Sequence, residues 1–470
     1  MTFTELPTKD DLLARLRPYG QEHLLAFWDG LAAPQRENLA AQLAAIDLER
    51  LLATWRASQT KEDWSELARR AVGPPAIRLG RKDNCFSADE ARKVGERALR
   101  DGRLGVVVVA GGQGTRLGFD HPKGMYSIGP VSQASLFQIL LEKVLATGRR
   151  YGVKLPLFLM TSEATHDETV AYLKARARFG LPEDDVTVFC QGMMPAVDAA
   201  SGRLLLSAPD SLALSPDGHG GMPAALRRSG ALDQIRRRGL DHLFYMQVDN
   251  PLVVVCDAEF IGYHLLANSE LSTLVVAKTT PRDRVGNVVS IDGQVRIVEY
   301  SDLPDEVAEL RSPDGSLKLW AGNTAMHVFD VDLLDRASQA GGELPLHLAR
   351  KKVPYIDGEG KFVEPSEPNA VKFEQFIFDL LPTARNPLVV EVDEASHFAP
   401  VKNAPGAQRD SKETVQAQMI GLHRRWLELA GASVAPQAAV EISPLFAVDA
   451  AETARKVAAG TNVTSSRYFS

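Results

Sequence analysis

Only three cysteines occur in 470 residues, Cys85, Cys190 and Cys256, and no two of them form a C-x-x-C pair. That excludes a disulfide framework or a cysteine zinc site and fits a reducing compartment, the cytoplasm. No apolar run approaches the ~18 residues of a membrane span, and the opening MTFTELPTKDDLLARLRPYG has no apolar core of signal-peptide length. An excess of positive charge is missing too. The net charge is −7, so no global field favours nucleic acid or an anionic membrane, and an anionic ligand has to be held by local Arg and Lys. There is no internal repeat and no low-complexity linker. Nor does any Ser or Cys stand in a recognisable nucleophile–base arrangement. What remains is an ordinary globular composition, 45% hydrophobic and 24% charged, in a chain long enough for two or three domains.

The stretch that stands out is LGVVVVAGGQGTRLGFDHPK, residues 104–123. Val106 to Val109 is too short an apolar run for a helix and predicts a strand buried on both faces of a parallel sheet. Ala110, Gly111, Gly112, Gly114 and Thr115 then form a turn in which main-chain N–H groups can approach a phosphate or a base edge, which Cβ atoms would prevent. Arg116 and Lys123 add two cations, completing a cradle for a polyphosphate. A Rossmann dinucleotide loop would need an acid about 20 positions further on. Residues 131–141 contain none, and GGQGTRLG does not have the G-x-G-x-x-G spacing. A Walker A loop would end in Gly-Lys-Ser/Thr, whereas Lys123 is followed by Gly124-Met125. A structural turn with surface cations leaves the coincidence of these features unexplained.

Around this loop the pattern alternates. Residues 1–101 predict a helical subdomain, with Asp10-Asp11 opening a helix ahead of Leu12, Leu13 and Leu16, apolar residues at helical spacing over 23–31, and Pro34 restarting the chain before Leu39, Leu43 and Ile46. Residues 102–385 predict strands at 105–110, 157–161, 186–191, 243–248, 273–278 and 325–329. Helices fall between them at 135–148, 167–179, 224–238 and 258–268, the alternation of a mostly parallel α/β sheet. NVVSI and QVRIV across Asp292-Gly293 predict a hairpin. Residues 386–470 hold one more strand at 389–392, a Ser411-capped helix over 412–430, and a weakly patterned tail, together a small C-terminal subdomain.

Ligands in such sheets sit beyond the C-terminal ends of the strands. Asp249 follows a predicted strand directly and is stopped by Pro251, a good place for a carboxylate holding Mg²⁺ against phosphates; a turn-capping role is the plain alternative. A second glycine turn, Ser215-Pro216-Asp217-Gly218-His219-Gly220-Gly221, leads into a helix and can meet an anion or a sugar hydroxyl. His219 can donate or accept there, or be a solvated loop residue. Arg227, Arg228 and Arg236 to Arg238 are taken as a solvated basic face.

The pattern L-x-x-G-G-x-G-T-R-L-G-x-x-x-P-K resembles the signature of the UDP-sugar pyrophosphorylases. HLLAFWDGL…QRENLAAQLAAIDLERL, QGMMPA, VEYSD, AGNTA, PNAVKFEQFIFD and PVKNA extend the resemblance over nearly the whole chain, most closely to the UDP-N-acetylhexosamine branch. The resemblance implies a Rossmann-like, GT-A-like nucleotidyltransferase core that converts UTP and a hexosamine 1-phosphate, N-acetylglucosamine 1-phosphate first, to UDP-sugar and pyrophosphate. It implies Gln191 and Gly218 at the nucleotide, and His219, Gly286, Glu299, Asn323, Phe376 and Phe378 at the sugar. Lys402 would reach the sugar phosphate, Arg116 and Lys123 the departing pyrophosphate, and Asp249 the Mg²⁺. Core packing is the alternative for the two phenylalanines, and a surface lysine for Lys402. The branch carries Asn-Gly-Gly where this chain has His219-Gly220-Gly221, a turn more like that of UDP-glucose and broad-specificity enzymes. The hexose therefore stays open between the N-acetylhexosamines, glucose and galactose. A non-catalytic nucleotide-sugar sensor and a nicotinamide oxidoreductase are the remaining classes. No nucleic-acid or membrane partner is expected, and the chain is expected to be a monomer or a weak homo-oligomer.

Overall fold

The structure is a computed structural model that describes residues 7–58, 69–339 and 344–470. The chain divides into two compact units: residues 1–63, 191–222 and 344–377 form one, and residues 64–190, 223–343 and 378–470 the other.

In the first unit, Thr8 caps the helix Lys9–Leu16 in a capping box with Asp11, so the acidic pair does open a helix. Residues 23–31, expected to be helical, make only the short 3-10 turns Glu22–Leu25 and Trp28–Gly30. Pro34 sits in the first turn of the helix Ala33–Ala45, where its missing N–H costs nothing. Leu12, Leu16, Leu24, Trp28, Leu39 and Leu43 pack on Val197, Leu206, Val371 and Phe373. The N-terminal helices thus close one face of a small sheet made by Val197–Asp198, His347–Lys351 and Ala370–Glu374. The helical expectation for residues 1–6 and 59–68 lies outside the described residues.

The second unit is built on a nine-stranded sheet. Its strands are β1 Leu104–Val109, β2 Leu157–Thr161, β3 Val186–Cys190, β4 His242–Gln247, β5 Leu271–Ala277, β6 Asn287–Ile291, β7 Gln294–Val298, β8 Ala321–Asp330 and β9 Leu388–Glu391. The run β3–β2–β1–β4 is parallel, as is the pair β5–β9. The long strand β8 runs antiparallel to β5, β4 and β6. Val106, Val107 and Val108 in β1 are fully buried, each contributing about 1.5–3 kcal/mol of apolar burial. The hairpin β6–β7 turns at Asp292 (φ 52°) and Gly293 (φ 82°), the positive-φ pair of a tight hairpin turn.

Three elements depart from expectation. Residues 224–238 are two helices, Met222–Arg228 and Ala231–Arg237, broken at Gly230 in the left-handed region (φ 75°). Arg227, Arg236 and Arg238 are not simply solvated: they pair with Asp335, with Asp332 and Asp335, and with Asp185. The tail is ordered, with Val440–Ile442 parallel to Arg467–Phe469 over a cluster that includes Leu427, Val457 and Val463. Helices Ala88–Arg100 and Ala258–Leu266 cross at bare backbone. A Cβ on Gly95 would lie 1.8 Å from the Ala258 carbonyl oxygen, and one on Gly262 would lie 1.7 Å from that of Ala91.

Candidate active site

The glycine turn leaves β1 at its C-terminal end with its carbonyls tied down. Gly111 O accepts from Ser162 Oγ at 2.7 Å, Gly112 O from Lys123 N at 3.0 Å, and Gly114 N donates to His121 O at 2.9 Å. Among the described residues none accepts from the N–H groups of Gly111, Gly112 and Gln113. Gly112, Gln113, Thr115 and Arg116 are exposed, while Ala110 and Gly114 are buried beneath them. The side chain a Cβ would create at Gly112 meets nothing within 4 Å, whereas at Gly114 it would lie 2.7 Å from Phe119 O. Gly114 is therefore needed by the turn itself, and Gly112 keeps an outward surface of main-chain donors clear. Such unpaired N–H groups are an anion site.

Lys123 begins the 3-10 turn Lys123–Met125, and its Nζ donates to Asp249 Oδ2 at 3.1 Å. Gly124 allows this turn to rest on Phe137, whose ring a Cβ would approach within 2.3 Å. Asp249 lies just past the C-terminal end of β4 and is buried. Burial presses its carboxyl toward the neutral form, but the charges of Lys123 and Lys402 outweigh it and hold the pKa below the usual carboxylate value. One anion is thus read by two lysines 279 positions apart in sequence. Lys402 also lines a cleft of about 890 Å³ that carries Lys278, Arg284 and Arg409 beside Asp283 and Asp410.

What ties Lys402 to Asp249 is Asn250, which the sequence does not single out. Its buried Oδ1 accepts from Leu252 N at 3.2 Å and Ala399 N at 3.0 Å, and its Nδ2 donates to His397 O at 2.7 Å. Val401 N donates to Asp249 O at 2.9 Å. On the far side of the same loop, Lys143 Nζ donates to Pro251 O at 2.6 Å and Val253 O at 2.8 Å. A buried amide just after a strand-end acid was the available signal, because such a group must find partners.

Gly286, Glu299 and Asn323 come together. A Cβ on Gly286 would sit 3.2 Å from Glu299 Oε1 and 3.7 Å from Asn323 Cβ, and Asn323 N donates to Gly286 O at 2.8 Å. Asn323 Oδ1 accepts from Ala325 N at 3.0 Å, where β8 is irregular and Ala325 has φ 55°. Phe378, in the same unit, is buried.

Gln191, Gly218, His219 and Phe376 belong to the other unit. Gln191 is partly exposed in the loop after β3. Gly218 (φ 82°), Gly220 and Gly221 are dictated by packing, since Cβ atoms there would lie 2.6, 2.5 and 2.3 Å from Gln375 O, Gln375 C and Asp217 Oδ2. That packing presents His219. Its Nδ1 accepts from Ile377 N at 3.1 Å, and its ring stacks on Phe376, which stacks in turn on His347. Burial, with His347 beside it, lowers the imidazole to about 4. A neutral ring whose Nδ1 is an acceptor carries its proton on Nε2.

A family model described as UTP–glucose-1-phosphate uridylyltransferase matches residues 56–418. The chain is similar to UDP-N-acetylhexosamine pyrophosphorylase-like protein 1 of Homo sapiens, 37% identical over 441 residues that cover 91% of this chain and 87% of that one. It is also similar to UDP-N-acetylglucosamine pyrophosphorylase of Saccharomyces cerevisiae, 36% identical over 90% of this chain and 92% of that one. Among solved structures, the uridine diphosphate N-acetylglucosamine pyrophosphorylase from Trypanosoma brucei in complex with inhibitor matches with a TM-score of 0.81 at 25% identity, covering 96% of this chain and 95% of that one.

Proposed function

Since the chain belongs to the UTP–glucose-1-phosphate uridylyltransferase family, we propose that it transfers the uridylyl group of UTP to N-acetylglucosamine 1-phosphate, giving UDP-N-acetylglucosamine and pyrophosphate. The sugar follows the names of the relatives that are similar over nine-tenths of the chain. The observation that carries the chemistry is the meeting of Lys123 and Lys402 at the ionised Asp249.

A sugar 1-phosphate is already largely dianionic near neutral pH. Its oxygen attacks the α-phosphorus of UTP in line. The new O–P bond forms as the bond to the β-phosphate oxygen breaks, and the electron pair leaves with pyrophosphate. No proton has to be removed from the nucleophile, so positioning and charge neutralisation do the chemistry. The N–H groups of Gly111, Gly112 and Gln113 hold the triphosphate, with Arg116 alongside. Lys123 exchanges its bond to Asp249 for the departing phosphates, and Lys402 offsets the charge of the incoming one. Glu299 and Asn323 supply hydroxyl partners for the sugar. Asp249 fits Mg²⁺, because it is a hard oxygen donor kept ionised, and Mg²⁺ commonly takes only one or two protein carboxylates beside phosphates. Bound there, Mg²⁺ would neutralise phosphate charge. The three unpaired cysteines support a cytoplasmic setting. No helix among the described residues is long and apolar enough to cross a membrane. We assign the chain as a monomer or weak homo-oligomer, which sedimentation velocity checks.

Pyrophosphate release is measured with UTP and, in turn, the 1-phosphates of N-acetylglucosamine, N-acetylgalactosamine, glucose and galactose. The highest kcat/KM is expected for N-acetylglucosamine 1-phosphate, with loss of turnover on chelation. Release with none of the four would overturn the reading. A preference for glucose 1-phosphate would establish the second reading, which His219 in place of the branch's asparagine favours.

A further inference from the structure

The sheet of the second unit carries another donor set at its opposite end. His242 is the first residue of β4 and Asp330 the last of β8, and they are direct cross-strand partners. His264 reaches the same point from the helix Ala258–Leu266. Asp330 Oδ1 lies 2.7 Å from His242 Nδ1 and 3.1 Å from His264 Nε2, and the three donor atoms all fall within 4.8 Å of one another. His242 stands seven residues before Asp249 on the same strand direction, roughly 23 Å at the rise of a strand, so this cluster is separate from the chemistry described above.

We propose that His242, His264 and Asp330 form a binding site for a borderline transition-metal dication of the zinc type. Bonds of about 2.0–2.1 Å in a tetrahedral site set neighbouring ligand atoms about 3.3 Å apart. The observed N···O separations of 2.7 and 3.1 Å need to open by about 0.6 and 0.2 Å to reach that spacing. The donors sit on a strand start, a strand end and a packed helix, so little ordering remains to be done on binding. The donor chemistry is right as well: imidazole suits zinc, and one carboxylate completes a three-ligand set with a place left for water. His264 Nδ1 lies 2.8 Å from Ser272 Oγ. With the ring proton on Nδ1, Ser272 accepts it and the Nε2 lone pair points at the cation, the outer-shell support that metal-bound histidines use. His264 is 1% exposed, while His242 and Asp330 are 17% and 29% exposed, which leaves a way in from solvent. Arg336 and Arg385, which would oppose a cation, are both committed to buried Glu270. A hydrogen-bonded His–Asp–His cluster with no cation is the competing account, and it makes different predictions.

The test is titration of the full-length protein with ZnCl₂ in excess Mg²⁺ by calorimetry, and with CoCl₂ by visible absorption. One equivalent is expected to bind, with the intense ligand-field band of low-coordinate Co²⁺ and a rise in melting temperature. D330N and H242A are each expected to weaken binding by about 100-fold or more, and H121A, at an exposed histidine outside the cluster, is expected to leave it unchanged. Both cluster variants should retain pyrophosphate release, which reports that they fold. Absence of a one-equivalent Zn²⁺ event, or equal Zn²⁺ affinity in wild type, D330N and H242A, would overturn the proposal.

Discussion

Asn250→Ala separates holding the fold from holding the reaction. The wild-type amide accepts from Leu252 N and Ala399 N and donates to His397 O, at 3.2, 3.0 and 2.7 Å. Truncation leaves two main-chain donors and one acceptor buried without this partner. At about 1 kcal/mol each, the loss is about 3 kcal/mol of stability, a fall of several degrees in melting temperature. The same bonds are what seat residues 397–401, and hence Lys402, against the Asp249 loop. A slip of about 1 Å at a positioned group costs about 100-fold in rate. Turnover of the variant, measured by pyrophosphate release well below its melting temperature, should therefore fall about 100-fold, with the KM for UTP changed less than about threefold because the glycine turn is untouched. A variant that loses the expected stability yet turns over at the wild-type rate would refute the reasoning: Asn250 would then be a structural clamp with no part in aligning the lysines.

Other outcomes follow from the same geometry. Lys123→Ala and Lys402→Ala should each lower kcat by two or more orders of magnitude while circular dichroism stays native; a near-wild-type rate would remove that lysine from the site. Gly112→Ala should melt like the wild type, because its Cβ meets no protein atom within 4 Å, yet raise the KM for UTP at least tenfold; an unchanged KM would place the triphosphate elsewhere. His219 is a base whose folded pKa, about 4, lies below its ordinary value of about 6.5. Between those values the unfolded chain binds more protons, so the contribution to stability is complete above pH 6.5 and is lost as pH falls toward 4. H219N should flatten the melting temperature over that window, and identical profiles for the two proteins would contradict a half-buried, neutral ring.

The central strands were legible because a strand covered on both faces has to be apolar throughout, as in residues 106–109; most ends shifted by a residue or two, while β8 begins at Ala321, four residues before the expected start. The hairpin was legible because Asp292-Gly293 carries the unusual dihedrals in its own residue types. What escaped depends on partners far off in the chain. The fate of Arg227, Arg236 and Arg238 is decided by Asp335, Asp332 and Asp185, which no local pattern connects to them. The tail pairs three-residue strands across 24 intervening positions, too short for any periodicity to register. At the site, the glycine turn and both lysines could be named from the sequence, but the Asn250 and Lys143 contacts could not. A lone amide after an acid reads as a turn until the segment it bonds is known. The second glycine turn was legible as a turn but not in its cause, which is the approach of Gln375.

Where Gly95 and Gly262 let two helices meet main chain to main chain, neither helix has slack to tilt or slide. The nonapeptide from Asp249 to Asp257 is therefore strung between a central strand and a post that does not yield. The opposite bank is tied to it: Val401 N donates to Asp249 O at 2.9 Å and Lys402 N to Asp410 O at 2.8 Å, so the acid and the lysine keep a fixed spacing whatever binds between them.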